Sequence, residues 1–398
     1  MLPWLASLSP WFATFGGVTP RILAAAALAF LAMLVVMPPL IRWLRAKKFG
    51  ESGSKGDGAA VVDAMREGKK GTPTMGGLGL IGCIALATLL CCDLSEARPW
   101  LLLAGMLGFA GLGYCDDRTK IFKGAQGISS TAKLCWQIAL ALACGFGLWQ
   151  VGVHDAATLL PGNAPAGLPE GFYKKELGDV EYTVRLAIDQ LTFPLISVEH
   201  ALALGWLLVP WVAFVTISCA NGVNFTDGMD GLAGGTVCIA ALAFMVIAYL
   251  VSRVDTADHL QALYVSGGQE IAVFCAAIAG ACLGFLWFNA APAAVFMGDT
   301  GSQALGAALG LVAVATKQEF LIILVGAIFV AEAGSVLIQK LVFKATKHRA
   351  TGGYRVFRCA PLHHHFQYLG WPESQIVVRF WIIAACCALL ALATLKIR

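Results

Sequence analysis

Charge is what this 398-residue chain has least of. Asp, Glu, Lys and Arg make up 13% of it, against roughly 25% in a soluble domain. With 58% hydrophobic residues and a mean hydropathy of +0.75, that scarcity excludes a soluble globular fold. Paired cysteines are also missing. The 13 cysteines, among them Cys91, Cys92, Cys275, Cys282, Cys386 and Cys387, lie nearly all inside apolar runs without CxxC spacing. They read as small packing residues, not as a disulfide framework. The opening MLPWLASLSPWFATFGG has no basic region before its apolar part. It is expected to lie at the membrane interface on Trp4 and Trp11, not to be a cleaved signal peptide. The period-two alternation of a membrane barrel is absent, and so is any internal repeat.

What remains is a series of apolar runs, at about 22–41, 75–92, 99–115, 132–152, 201–220, 230–251, 270–289, 301–316, 319–339 and 376–395. Each approaches the ~20 residues needed to cross a bilayer. The expectation is an all-α, polytopic integral membrane protein of about ten transmembrane helices, with residues 1–398 forming one domain. Basic residues collect in alternate connections. Arg42, Arg45, Lys47, Lys48, Lys55, Arg66, Lys69 and Lys70 follow the first run, Arg118, Lys120 and Lys123 the third, and Lys340, Lys344, Lys347, Arg349, Arg355 and Arg358 the ninth. By the positive-inside rule these connections are cytoplasmic and both termini lie outside. The one long external stretch, 152–200, holds Pro161, Pro165 and Pro169. It then alternates Tyr182, Val184, Leu186 and Ile188, so an extracytoplasmic insertion forming a small β-hairpin or cap is expected there.

Sidedness brings five polar clusters to one membrane face: KKGTPTMGG at 69–77, GYCDDRTK at 113–120, NGVNFTDGMDGLAGG at 221–235, AVFMGDTGSQ at 294–303 and PLHHHF at 361–366. Carboxylates gathered in this way repel one another unless a cation lies among them. Oxygen ligands suit Mg2+, which completes its shell with water and phosphate. Lys69, Lys70, Lys120 and Lys133 offer positive charge, and Gly298 and Gly301 flank Asp299 so that phosphate could reach backbone N–H groups. Acid, metal and base together suggest phosphoryl transfer. Asp116 and Asp117, about 100° apart on a helix, cannot address one atom. If Gly228 onward is helical, Asp227 and Asp230 share a helix face. Plainer readings stand beside these: a capped helix start for 221–235, solvated boundary charges for Asp116 and Asp117, a headgroup loop for His363, His364 and His365, and an interfacial anchor for Phe296. The histidines have no companion at zinc-site spacing.

These five motifs, in this order, resemble those of the phospho-N-acetylmuramoyl-pentapeptide-transferases, a branch of the polyprenyl-phosphate N-acetylhexosamine 1-phosphate transferases. The resemblance implies transfer of phospho-MurNAc-pentapeptide from UDP-MurNAc-pentapeptide to undecaprenyl phosphate, giving lipid I and UMP with Mg2+. It further implies a ten-helix fold in the bacterial inner membrane, usually dimeric, with a cytoplasmic cleft and no nucleic-acid partner. Residue by residue, Asp299 would be the main Mg2+ ligand, Asp116 and Asp117 the catalytic pair, and Phe296 a uracil stacking partner. Lys69, Lys70, Thr74, Asn221, Asn224, Asp227, Asp230, Asn289 and Gly298 would line the nucleotide and sugar pocket. His363 to His365 would contact substrate, and Lys120 and Lys133 the phosphates. The long 152–200 segment departs from the short hairpin expected of the family. Two alternatives remain: transfer from UDP-GlcNAc, or a transporter, which would carry ionisable residues near the midplane of repeated halves.

Overall fold

A helix fills most of each apolar run of the sequence in the computed structural model, which describes residues 1–8, 10–47, 49, 69, 71–123, 127–160, 171–177, 179–347 and 353–396. Lys70, Lys48, Lys55, Arg66, Arg349 and the three prolines of 161–169 lie outside the described residues. The main helices are α1 (Val18–Ala46), α2 (Gly77–Cys91), α3 (Ala97–Lys123), α4 (Ser130–Leu159) and α5 (Leu208–Thr226). There follow α6 (Leu232–Val251), α7 (Gly268–Asn289), α8 (Gly298–Ala315), α9 (Ala327–Thr346) and α10 (Glu373–Thr394). The ninth run is split, because the short helix Leu321–Val325 precedes α9. Among the described residues, six helices are long and apolar enough to cross a membrane. The fold is all-α and polytopic.

The core lies along α7 and α8. From Thr300 to Ala315 every residue of α8 is buried, and its glycines and alanines let neighbouring backbones close on it. At Gly77 the approach is close: a methyl group there would fall onto the backbone of Gly301, so α2 and α8 touch glycine to glycine. Large side chains such as Val35, Phe214, Trp287 and Leu389 point outward, as expected where the solvent is hydrocarbon.

The helices sort their polar residues to two ends. At one end, the close of α3 meets the starts of α4 and α8 through Lys133, Asp116 and Asp299, and the close of α7 meets the turn before α6 through Asn289 and Gly231. At the other, Arg21 of α1 pairs with Glu270 of α7 at 2.7 Å, fully buried, and Arg98 of α3 pairs with Asp155 of α4.

The expected hairpin forms at this second end. Strands β1 (Phe172–Leu177) and β2 (Val180–Arg185) pair antiparallel, Phe172 opposite Arg185. A second small pair, β3 (Gln190–Leu191) with β4 (Leu202–Ala203), follows. Val184 and Leu186 are buried, so the alternation read from the sequence marks the inner face. The Thr192 hydroxyl donates to the Lys317 carbonyl at 2.6 Å, and Phe193 stacks on Phe320 at 4.9 Å, which seats the cap on the turn after α8.

Candidate active site

Asp116 and Asp117 close α3 and are both buried. As consecutive helical residues they face different partners. Asp117 turns to the N-terminus of α8, where its carboxylate accepts the Asp299 N–H at 3.1 Å, the Thr300 N–H at 2.9 Å and the Thr300 hydroxyl at 2.7 Å. The residue preceding α8, Met297, offers no side-chain cap. Asp117 therefore satisfies amides that a helix start leaves unpaired, from another helix altogether. Gly298 makes room for this contact: its φ is +76, and a Cβ there would lie 2.8 Å from Asp117 Oδ2.

Asp116 turns the other way. Its Oδ2 lies 2.8 Å from Lys120 Nζ and 3.1 Å from Lys133 Nζ, and its Oδ1 accepts the Ile128 N–H at 2.7 Å. Asp299 Oδ2 meets the same two ammonium groups, Lys133 at 2.7 Å and Lys120 at 3.0 Å. Two carboxylates and two ammoniums thus share one small volume. Gln303 donates to Asp299 Oδ2 at 3.2 Å and Asn224 to Oδ1 at 3.0 Å. Gln137 in turn joins Gln303 at 3.1 Å and Asn221 at 3.1 Å, extending a buried amide chain away from the carboxylate.

The electrostatics follow from this arrangement. Asp117, Asp299 and Lys120 lie beyond the apolar runs of their helices. Burial pushes the Asp117 carboxyl up to about 6, the negative charge of Asp299 adds to the rise, and the Thr300 hydrogen bonds oppose it. Burial acts on Asp299 in the same sense, but hydrogen bonding with Asp116 and the charges of Lys133 and Lys120 overcome it and hold that carboxyl well below the usual range. Lys120 is disfavoured by burial and raised on balance by Asp299 and Asp116. Asp299 and Lys120 therefore stay charged where they meet, and Asp117 is the carboxyl held nearest to neutrality.

A second corner lies beside the first. Lys69 Nζ stands 2.6 Å from Asp230 Oδ1 and 2.6 Å from Glu373 Oε1. The other Asp230 oxygen accepts the Ala293 N–H at 3.0 Å. Asn289 binds the Gly231 N–H at 3.0 Å and the Val295 carbonyl at 2.8 Å. Phe296 is clasped by backbone: its N–H reaches Pro73 and its carbonyl accepts from Gly76, both at 2.8 Å. Its half-buried ring has the Lys69 ammonium 6.0 Å from its centroid. Thr74 is placed where the two corners join, since a Cβ on Gly298 would lie 3.1 Å from its hydroxyl.

The shared helix face expected for Asp227 and Asp230 does not form. Residues 227–231 are a turn and α6 begins at Leu232, so Asp227 ends α5 while Asp230 belongs to the Lys69 corner. Nor is PLHHHF an extended loop. Residues Leu362–Tyr368 form a short helix whose first two histidines are buried. His363 Nδ1 lies 3.1 Å from Glu332 Oε2, and its ring rests on Gly228, where any Cβ would collide with Nε2. His364 pairs with Gln367 at 2.7 Å, and His365 Nδ1 accepts the Arg358 N–H at 3.2 Å.

Reading the sequence missed Glu373, Gln137, Gln303 and Glu332. Three of these are polar residues inside apolar runs, which is itself a signal of function or pairing. Glu373, just before the tenth run, carried no such mark.

Residues 99–317 match the Glycosyl transferase family 4 model, which gives the class: a membrane-embedded transferase. The whole chain is similar to proteins named phospho-N-acetylmuramoyl-pentapeptide-transferase from three bacteria. It is 42% identical to that of Gemmatimonas aurantiaca over 96% of this chain and 94% of the relative. It is 40% identical to that of Bartonella quintana over 100% of both. For Solidesulfovibrio magneticus the identity is 41%, over 96% of this chain and 95% of the relative. The chain belongs to the phospho-N-acetylmuramoyl-pentapeptide-transferase family. Membership in a transferase family argues against the transporter alternative.

Proposed function

We propose that this protein transfers phospho-MurNAc-pentapeptide from its UDP carrier to undecaprenyl phosphate, making lipid I for peptidoglycan synthesis and releasing UMP. The observation that carries the chemistry is the meeting of Asp116, Lys120, Lys133 and Asp299 in one volume. An acceptor phosphate and a donor diphosphate are both anions, and bringing them together is the main barrier. Lys120 and Lys133 can move from their carboxylates to phosphate oxygens at little electrostatic cost, because like-sized charges are exchanged.

The donor set also fits Mg2+. Two carboxylate oxygens, on Asp116 and Asp299, already share cationic partners, and Mg2+ usually takes only one or two carboxylates. Asp299 would be its main ligand, and the ion, when bound, supplies further neutralisation of diphosphate charge. Asp117 holds the start of α8, and hence Asp299, in place.

In the reaction, an oxygen of the lipid phosphate attacks the sugar-bearing phosphorus of the donor. The bond from that phosphorus to the bridging oxygen breaks, and UMP leaves with the electron pair. The acceptor's second pKa is near ~6, so it is largely dianionic at neutral pH and needs little help from a base. One-step attack is therefore favoured over a phosphoaspartate intermediate.

The Lys69 corner holds two carboxylates against one ammonium, which suits a neutral polar ring better than a phosphate. We assign it, with Phe296, to the uridine, and Asn224, Asp227, Asn289 and the histidine helix to the remainder of the donor. The site faces the cytoplasm in a ten-span topology, with the β-hairpin cap outside and a homodimer as the assembly. Purified protein in liposomes, given each donor in competition, tests the reading. UMP should appear only with undecaprenyl phosphate and Mg2+, and from UDP-MurNAc-pentapeptide in preference to UDP-GlcNAc. Preference for UDP-GlcNAc would overturn it.

A further inference from the structure

Glu373 opens α10, 304 residues from Lys69 and 143 from Asp230, yet one of its oxygens performs two tasks there. Oε1 takes the Lys69 ammonium at 2.6 Å and also accepts the Asp230 N–H at 2.8 Å. It thus fixes a side chain and a piece of backbone that belong to different segments. Lys69 has a flexible four-carbon stem, and a second charged anchor removes most of its freedom before any ligand arrives. Burial works against the Lys69 charge, and Asp230 and Glu373 together outweigh it, so the ammonium stays protonated where it stands. Pro372 at the N-cap directs the chain into the helix, and a carboxylate in a first turn is favourably placed. Phe366 stacks on Trp371 at 4.7 Å, tying the histidine helix to the same junction.

We propose that Glu373 is a positioning residue for the nucleotide end of the donor, acting through Lys69. This rests on the proposed function, in which the Lys69 corner receives uridine. With Glu373 present, Lys69 is held between two carboxylates and offers its remaining N–H to the ligand in a set direction. Without that charge, Lys69 collapses onto Asp230, and both are withdrawn from the nucleotide. Donor binding then has to reorder them, which weakens affinity without altering the reacting phosphates.

The test separates charge from hydrogen bonding. Glu373→Gln keeps an oxygen for the Asp230 N–H and loses the charge that holds Lys69. The donor KM should rise about tenfold, with kcat, the KM for lipid phosphate and the thermal unfolding temperature all close to wild type. UMP affinity measured by calorimetry should fall in parallel. In a Lys69→Ala background the same substitution should add less than about twofold, because the partner through which it acts is gone. The proposal is overturned if E373Q binds donor and UMP like wild type, if kcat and unfolding temperature fall while the donor KM holds, or if the full effect persists without Lys69. Wild-type protein that fails to release UMP from donor and lipid phosphate would overturn the functional reading and this proposal with it. Wild-type turnover beside an unaffected E373Q would overturn this proposal alone.

Discussion

Lys133 and Asp299 are separated by 166 residues, and their charged atoms lie 2.7 Å apart. One belongs to the first turn of α4 and the other to the first turn of α8, so the contact exists only because both helices start at the same end of the bundle. The same ammonium reaches Asp116 at the close of α3. Three helices with no sequence relation thus build one electrostatic unit, and each member can be tested for its share.

Lys133→Gln keeps most of the side-chain length and removes the charge facing two carboxylates. Turnover should fall by about two orders of magnitude, the scale of losing one preorganised electrostatic partner. Donor affinity should change far less. Rates of UMP release and calorimetric donor binding check the split.

Asp117→Ala should destabilise the fold as well as reduce activity. It leaves the Asp299 and Thr300 amides and the Thr300 hydroxyl without the acceptor they use now. The cost is about 1–3 kcal/mol for such buried donors. Asp117→Asn retains a carbonyl oxygen and should lose less. Thermal unfolding in detergent distinguishes the two.

The raised Asp117 carboxyl predicts a pH effect of definite sign. Its folded value of about 6 lies above the reference 3.8. The folded state therefore holds an extra proton between those values, and stability is lost as pH rises through that window. In chelator, wild type should gain stability relative to Asp117→Asn when pH falls from 7 to 5. An unchanged difference between the two unfolding curves would contradict this.

Gly77→Ala should separate α2 from α8, because the new methyl meets the Gly301 backbone and neither helix can yield locally. A loss of about 1–3 kcal/mol is expected, together with reduced turnover, since Gly76 also clasps Phe296. Gly82→Ala meets nothing within 4 Å and serves as the neutral control. Unfolding temperature and UMP release measure both.

The sequence made the helices legible because ten apolar runs leave little choice of structure in a bilayer. The hairpin was legible for a similar reason: Val184 and Leu186, two of the alternating apolar residues, are buried. Asp116, Asp117 and Asp299 stood out as charges in an apolar chain. Their division of labour did not, because only the fold shows that Asp117 caps α8 while Asp116 holds the lysines. Asp227 and Asp230 were expected on one helix, but the turn at 227–231 leaves Asp227 at the end of α5 and puts Asp230 in the Lys69 corner. Glu373 went unnoticed for the same reason, since its meaning depends on Lys69, whose position no local pattern encodes.

The most direct test of the account is single-turnover UMP release by liposome-embedded protein, comparing wild type with Asp299→Asn across a Mg2+ titration. The account predicts wild-type release that requires both UDP-MurNAc-pentapeptide and undecaprenyl phosphate and saturates with Mg2+. It predicts a fall of at least about a hundredfold in the folded variant. Wild-type release without the ion, or an Asp299→Asn protein that turns over normally, would contradict it.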